Sequence, residues 1–277
     1  MTDVFPRGED ITLREGRHVR CHLAGDEHAE TAIYLCHGLG GRAEQWRSLW
    51  PGLVASGARL IAWDMPGHGH SPSPRAAVRY AGTEMAADFI ALIERYGARR
   101  NFVVAHSYGA KLTLFVLQSL HETGREGVIE RVALLGAPHP GISPASHLLR
   151  FPAWVLALMR GKLERAFRAA AWDASADIAL IDYEERCARR NSLAVFKAVA
   201  LQAPVLDPAT LPQLDLPVLV LCGDADHVTP IEASRANANA LPNAELRVLE
   251  RCGHQIMLER PAETLAALET FFGAARA

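Results

Sequence analysis

Apolar and polar positions along the chain fall into two rhythms, one with the period of a strand and one with the period of a helix. Ile11-Thr12-Leu13-Arg14 and residues 18–23 alternate apolar with polar, which predicts an antiparallel pair open to water on one side. Thr31–Cys36 is apolar throughout and stops at His37-Gly38, the pattern of a strand covered on both faces. From there strand and helix patterns alternate. Trp46, Leu49, Trp50 and Leu53 recur at helical spacing ahead of Gly57. Arg59–Asp64 predicts a strand, and Met85, Phe89, Leu92, Ile93 and Tyr96 predict a helix behind a Thr83 cap and before Gly97. Residues 101–105 predict the next strand, and residues 111–120 a helix apolar on nearly every side, hence a buried one. Arg131–Leu135, 217–222 and 245–249 bring the predicted strands to eight. Pro261 then opens a last helix with Leu265, Leu268 and Phe272 turned inward.

Alternation of this kind implies a mainly parallel sheet with helices on both faces. One stretch breaks it. Residues 139–216 carry helical patterns without a strand, including Leu148, Leu149, Trp154, Val155, Leu158, Met159, Leu163, Phe167 and Trp172. This segment is expected to be a helical cap inserted between two halves of one core domain, residues 1–138 and 217–277. It would lie over the C-terminal edge of the sheet, where open α/β sheets bind their ligands.

Composition narrows the picture little. With 49% hydrophobic and 22% charged residues the chain reads as an ordinary folded protein, and 277 residues suffice to bury a core without staples. A formal net charge of −2 offers no global field for nucleic acid, which is not expected as a partner. The first ten residues lack the apolar stretch of a signal peptide, and no uncharged apolar run approaches the roughly 20 residues of a membrane span. Five cysteines without CxxC spacing suggest free thiols, so a cytoplasmic setting is the expectation.

The chemistry gathers at strand ends. Acyl transfer needs an activated nucleophile, a base held in one tautomer, and donors aimed at an oxyanion. Ala105-His106-Ser107-Tyr108-Gly109 follows a strand and opens a helix, the setting of a nucleophile elbow, with Ala105 where the usual pattern has glycine. Taken alone, Ser107 could equally be a serine capping a helix. His254, after the last strand, is the candidate base, and Asp226 the candidate acid, placed ahead of its neighbour Asp224 because it lies further into the loop. The order serine, aspartate, histidine is the one this chemistry takes on such a sheet. The backbone N–H groups of Tyr108 and Leu39, the latter in His37-Gly38-Leu39-Gly40-Gly41, are the expected oxyanion donors. No phosphate-loop pattern and no HExxH or HxxxH spacing is present, so neither a cofactor nor a metal is expected.

Those motifs together resemble the α/β-hydrolase superfamily. The resemblance rests on residues 37–41, Asp64-Met65-Pro66-Gly67-His68-Gly69-His70-Ser71, residues 105–109, the loop 223–230, and Gly253-His254 with Glu259-Arg260-Pro261. The stretch 100–109 is most similar to the abhydrolase-domain serine hydrolases acting on esters and lipids. The resemblance implies a cofactor-free carboxylic-ester hydrolase with Ser107, His254 and Asp226 as triad, acting on a small hydrophobic ester. It also covers lactonases, thioesterases, carbon–carbon bond hydrolases and cofactor-free peroxidase-type enzymes. Dehalogenases and epoxide hydrolases of this fold use an aspartate nucleophile, which residue 107 is not. A catalytically silent binding module is the alternative from another class. Asp64 and Gly67 are expected to hold loop geometry, and His106 and His227 to pack the elbow and loop; His139 lies near enough for substrate contact. The cap stripe reads as core, and Arg150, Arg160, Lys162, Arg165 and Arg168 as a solvated face, with membrane association at the cap the less favoured reading.

Overall fold

The computed structural model describes residues 5–141 and 147–273. Within them the eight expected strands form one sheet: β1 (Glu9–Arg14), β2 (Arg17–Ala24), β3 (Thr31–Cys36), β4 (Arg59–Asp64), β5 (Arg100–His106), β6 (Arg131–Leu135), β7 (Val218–Gly223) and β8 (Ala244–Leu249). Their spatial order is β1-β2-β4-β3-β5-β6-β7-β8. β1 and β2 are antiparallel, β2 runs antiparallel to β4, and every pairing from β4 through β8 is parallel. This is the α/β-hydrolase fold.

Side-chain parity splits the core into two layers. Tyr34, Val103, Val132 and Val220 face one layer, with α2 (Gly82–Tyr96) and α3 (Tyr108–Glu122) packed on it. Leu35, Val104, Ala133 and Leu221 face the other, against α1 (Trp50–Ala55) and α9 (Pro261–Gly273). Strands buried on both faces cannot alternate apolar with polar, which is why β3, β5, β6 and β7 read as continuous apolar runs. At the edge, β8 alternates and is half exposed.

Two local expectations are corrected. Trp46 lies not in α1 but in a preceding 3₁₀ turn, Ala43–Trp46, and α1 begins at Trp50 with Pro51 in its first turn. Thr83 does not cap α2: the helix starts at Gly82, with Ala81 before it and no side-chain cap bond.

Between β6 and β7 the described residues hold α4 (Ala153–Ala171), α5 (Ile178–Ala188) and α6 (Leu193–Leu201), and no strand. The expected insertion boundary at 139 is followed closely by residues 142–146, which lie outside the described ones. α7 (Ile231–Ala240) separates β7 from β8, and a short α8 (Ile256–Glu259) precedes α9. The five cysteines are free thiols.

One buried ion pair has no counterpart among the motifs of the sequence. The guanidinium of Arg17, on β2, is 1% exposed and donates to both oxygens of Asp88, on α2, which is wholly buried. Arg14 donates to the same carboxylate at 2.7 Å. Removing one partner strands a buried charge, so Asp88→Ala should lose about 3–5 kcal/mol in urea unfolding, while Arg17→Met with Asp88→Leu should recover most of it. A loss within about 0.5 kcal/mol, the range of surface changes, would mean the pair is not buried as described.

Candidate active site

The site grows from the joint between β5 and α3. Ser107 stands alone between them at φ 52°, ψ −117°, a left-handed conformation rare for a residue with a side chain. Its N–H donates to Leu135 O at 2.9 Å, and its own carbonyl accepts from Ala110 and Lys111. Gly109 is obligatory: a Cβ there would stand 2.5 Å from Cys36 O and 2.6 Å from His37 O. At the other flank a Cβ is accommodated, because Ala105 turns into the core beside Tyr34 and Val103. Alanine in place of glycine is therefore no obstacle to the turn.

Three of the expected residues meet. His254 Nε2 lies 3.0 Å from Ser107 Oγ, and His254 Nδ1 lies 2.8 Å from Asp226 Oδ2. With its Nδ1–H donated to the carboxylate, the imidazole presents a bare Nε2 to the hydroxyl. Asp226 Oδ1 accepts from the N–H groups of Val228 and Thr229, each at 2.8 Å. Burial alone would push the Asp226 carboxyl up, but the hydrogen bonds and charge from His254, with Thr229, hold it below its ordinary value. Asp224 points elsewhere: it is exposed, and its Oδ1 accepts from Cys252 N at 3.1 Å. His227 and His139 are also exposed, the latter accepting from Gly141 N.

The glycine-rich loop lies against the elbow, since a Cβ on Gly38 would meet His106 Nδ1 at 3.0 Å and Ser107 Cβ at 3.1 Å. Among the described residues neither the Leu39 N–H nor the Tyr108 N–H has a hydrogen-bond partner. Tyr108 opens α3, so its N–H sits at the positive end of that helix. His37 fixes the loop, donating from Nδ1 to Gly38 O at 2.8 Å and accepting from Met65 N at Nε2. Asp64 accepts from Ala43 N at 2.7 Å and His70 N at 2.8 Å.

Several positioning contacts had weaker signals or none. Thr229 donates to Asp226 Oδ2 at 2.6 Å, and its hydroxyl lies 3.1 Å from His254 Nδ1; it was visible only as a member of the acid loop. Gly136, at φ 54°, passes so close that a Cβ would meet His254 Nδ1 at 3.1 Å. His106 Nε2 donates to His254 O at 2.9 Å. Glu259 accepts from the N–H groups of Gly253, Gln255 and Asp173, tying the histidine loop to the end of α4; burial raises its carboxyl. His227 and His254 donate their N–H groups to Ala170 O and Ala171 O. Asn191 donates to Gly40 O at 2.6 Å and accepts from Gly69 N, a role no motif announced.

Among the described residues no group of His, Cys, Asp and Glu could hold a metal ion, and no helix is long and apolar enough to cross a membrane.

Residues 33–268 match the alpha/beta hydrolase family model. The chain belongs to that family. It is 26% identical over 270 residues to protein ABHD8 of Mus musculus, covering 96% of this chain but only 60% of that relative's length. It is 24% identical to a 2-hydroxy-6-oxononadienedioate/2-hydroxy-6-oxononatrienedioate hydrolase of Paraburkholderia phymatum, over 99% of this chain and 100% of that one. An esterase of Exiguobacterium antarcticum superposes with a TM-score of 0.83 at 19% identity, over 95% of this chain and 98% of that one.

The buried histidines make a prediction for stability. Burial, the largest cause in each case, pushes His37 down from 6.5 to about 4, and His68 and His106 to about 3. Each stays neutral when folded but protonates when unfolded below 6.5, so its stability is full above that pH and drains as pH falls toward 4. At pH 5 the penalty is about 2 kcal/mol per histidine. The urea midpoint should therefore fall steeply between pH 7 and pH 5, and less steeply in His68→Asn. A midpoint unchanged over that range would show that these rings take up protons while folded.

Proposed function

We propose that this protein is a cofactor-free serine hydrolase that cleaves carboxylic esters with a hydrophobic acyl group. The reading rests on one observation, the hydrogen-bonded chain from Ser107 Oγ through His254 to Asp226, at 3.0 Å and 2.8 Å. In it Ser107 Oγ attacks the ester carbonyl while His254 Nε2 takes the hydroxyl proton. Asp226 holds the ring in the required tautomer and offsets the imidazolium charge. Oxygen of the tetrahedral intermediate is received by the Leu39 and Tyr108 N–H groups. The intermediate collapses as His254 returns the proton to the leaving alcohol. Water, deprotonated by the same nitrogen, then attacks the acyl-serine and releases the acid.

The helices of 139–216 serve as the cap in this reading. Phe196 of α6 lies 3.6 Å from where a Cβ on Gly40 would stand, and Val195 2.7 Å from one on Gly67, so the cap meets the oxyanion loop and the 64–71 loop with apolar side chains. Such a wall favours an acyl chain over a charged group. A second reading keeps the triad and changes the bond: hydrolysis of a carbon–carbon bond beside a ketone, favoured by the full-length likeness to the Paraburkholderia hydrolase.

Ser107→Ala should lower kcat/KM on nitrophenyl esters by on the order of 10⁴-fold or more, with the fold intact. Undiminished turnover in that variant ends the proposal. A panel of esters from acetate to long acyl chains, together with a vinylogous diketone, separates the two readings: turnover of the diketone alone favours the second.

A further inference from the structure

α4 was expected to bury its apolar stripe, and it does not. Phe151, just before the helix, is 50% exposed, Trp154 is 67% exposed and Leu158 80%, while Leu156 is buried at 3%. Trp154 and Leu158, four residues apart, stand on one face of the helix, one above the other, and Phe151 is exposed just ahead of its first turn. Trp154 is alone among the five tryptophans in this: Trp46, Trp50, Trp63 and Trp172 are all buried. The same face continues through Gly161 and Lys162 to Arg165, all exposed.

Charge on this segment is as lopsided as its polarity. From residue 147 to residue 172 the sequence holds Arg150, Arg160, Lys162, Arg165 and Arg168 against a single acid, Glu164, in a chain whose net charge is −2. Glu164 is taken up by Arg160 and Arg189, and Arg168 is paired with Glu185. Arg150, Lys162 and Arg165 have no carboxylate partner among the described residues. Large apolar side chains led by a tryptophan, flanked by unpaired cations, are what an interfacial helix presents to anionic headgroups. A second copy of the chain fits the face less well. It would bring the same unpaired cations with no free acid to meet them.

We propose that the exposed face of α4, from Trp154 to Arg165, together with Arg150 and Phe151 just ahead of the helix, docks on an anionic lipid bilayer. Phe151, Trp154 and Leu158 enter the headgroup boundary, and Arg150, Lys162 and Arg165 meet the lipid charge. The last residues of α4 accept hydrogen bonds from the loops of His254 and Asp226, so the docked surface and the candidate site share one helix. Docking itself needs no turnover and does not depend on Ser107 being a nucleophile.

The full chain is mixed with phosphatidylcholine vesicles, with and without phosphatidylserine, and followed by co-sedimentation and tryptophan emission. The expected result is binding to the phosphatidylserine vesicles, weakened by salt, with a blue shift that Trp154→Phe abolishes. Trp154→Asp with Leu158→Asp should remove binding, and Lys162→Glu with Arg165→Glu should weaken it at least about tenfold, since each cation near such a surface counts. Unchanged thermal unfolding shows that the variants are folded. Absence of binding by the wild-type chain overturns the proposal, as does equal binding to phosphatidylcholine alone or binding that survives the Trp154 and Leu158 changes. A concentration-dependent dimer lost in that same variant, with no vesicle binding, also overturns it and gives the face to a second copy.

Discussion

A single residue separates the end of strand β5 from the start of helix α3, so Ser107 alone must absorb the whole change of direction. A side-chain-bearing residue at φ 52°, ψ −117° costs about 1–3 kcal/mol, and the surroundings must hold it there. They do so from both sides. β6 accepts the Ser107 N–H through Leu135 O, and the first turn of α3 bonds back to the Ser107 carbonyl. Gly109 then lets that turn press on the end of β3, with no room for a Cβ beside Cys36 O and His37 O. Because α3 presses there, the loop that leaves β3 has one place to go, alongside Ser107. The elbow thus dictates where the glycine-rich loop lies as well as where its own hydroxyl points.

Two of the ties that fasten the neighbouring loops are histidines that burial keeps neutral. His37 and His106 are wholly buried and neutral, and each donates one ring N–H to a backbone carbonyl, His37 to Gly38 and His106 to His254. A charged imidazole could not occupy either place without a further acceptor, so pushing the pKa down is part of how the loops are held. Glu259 does the corresponding task with an acceptor: one carboxylate gathers three backbone N–H groups that would otherwise be unpaired. These ties are short-range and directional. They fix the site more tightly than the apolar layers beneath it could.

Legibility in the sequence followed burial and locality. Strands β3, β5, β6 and β7 were plain because both faces are covered, and the elbow, the acid loop and the histidine loop were plain because each sits within a few residues of a strand end. Strand order was not legible, since nothing local says that β4 lies between β2 and β3. Trp46 was misplaced because a 3₁₀ turn followed by a short helix keeps apolar residues at nearly helical spacing. Thr83 looked like a cap by its type alone, yet backbone geometry gave that position to Ala81. Asn191 and Glu184 act across more than a hundred residues of chain, on Gly40 and Arg42, and such contacts leave no periodic trace. The α4 stripe misled for a different reason. Helical periodicity reports that one face is apolar and says nothing of what covers it.

The same long-range contacts bear on how the helices between β6 and β7 behave. Glu184 of α5 is buried and paired with Arg42 at 3.0 Å and Arg47 at 2.7 Å, both on the loop that follows the glycines. Asn191 bridges that loop to the one carrying Gly69, and the end of α4 is bonded to the loops of both Asp226 and His254. Swinging these helices away as one body would break the buried Glu184 pair, leaving charges unpaired, and would release the histidine loop at the same time. An opening of that kind would disassemble the arrangement it was meant to expose. The helices between β6 and β7 therefore belong to the frame that positions Ser107, His254 and Asp226. Exposure is concentrated instead at the N-terminal half of α4, where Leu156 is the one buried side chain and the exposed aromatic and basic residues stand.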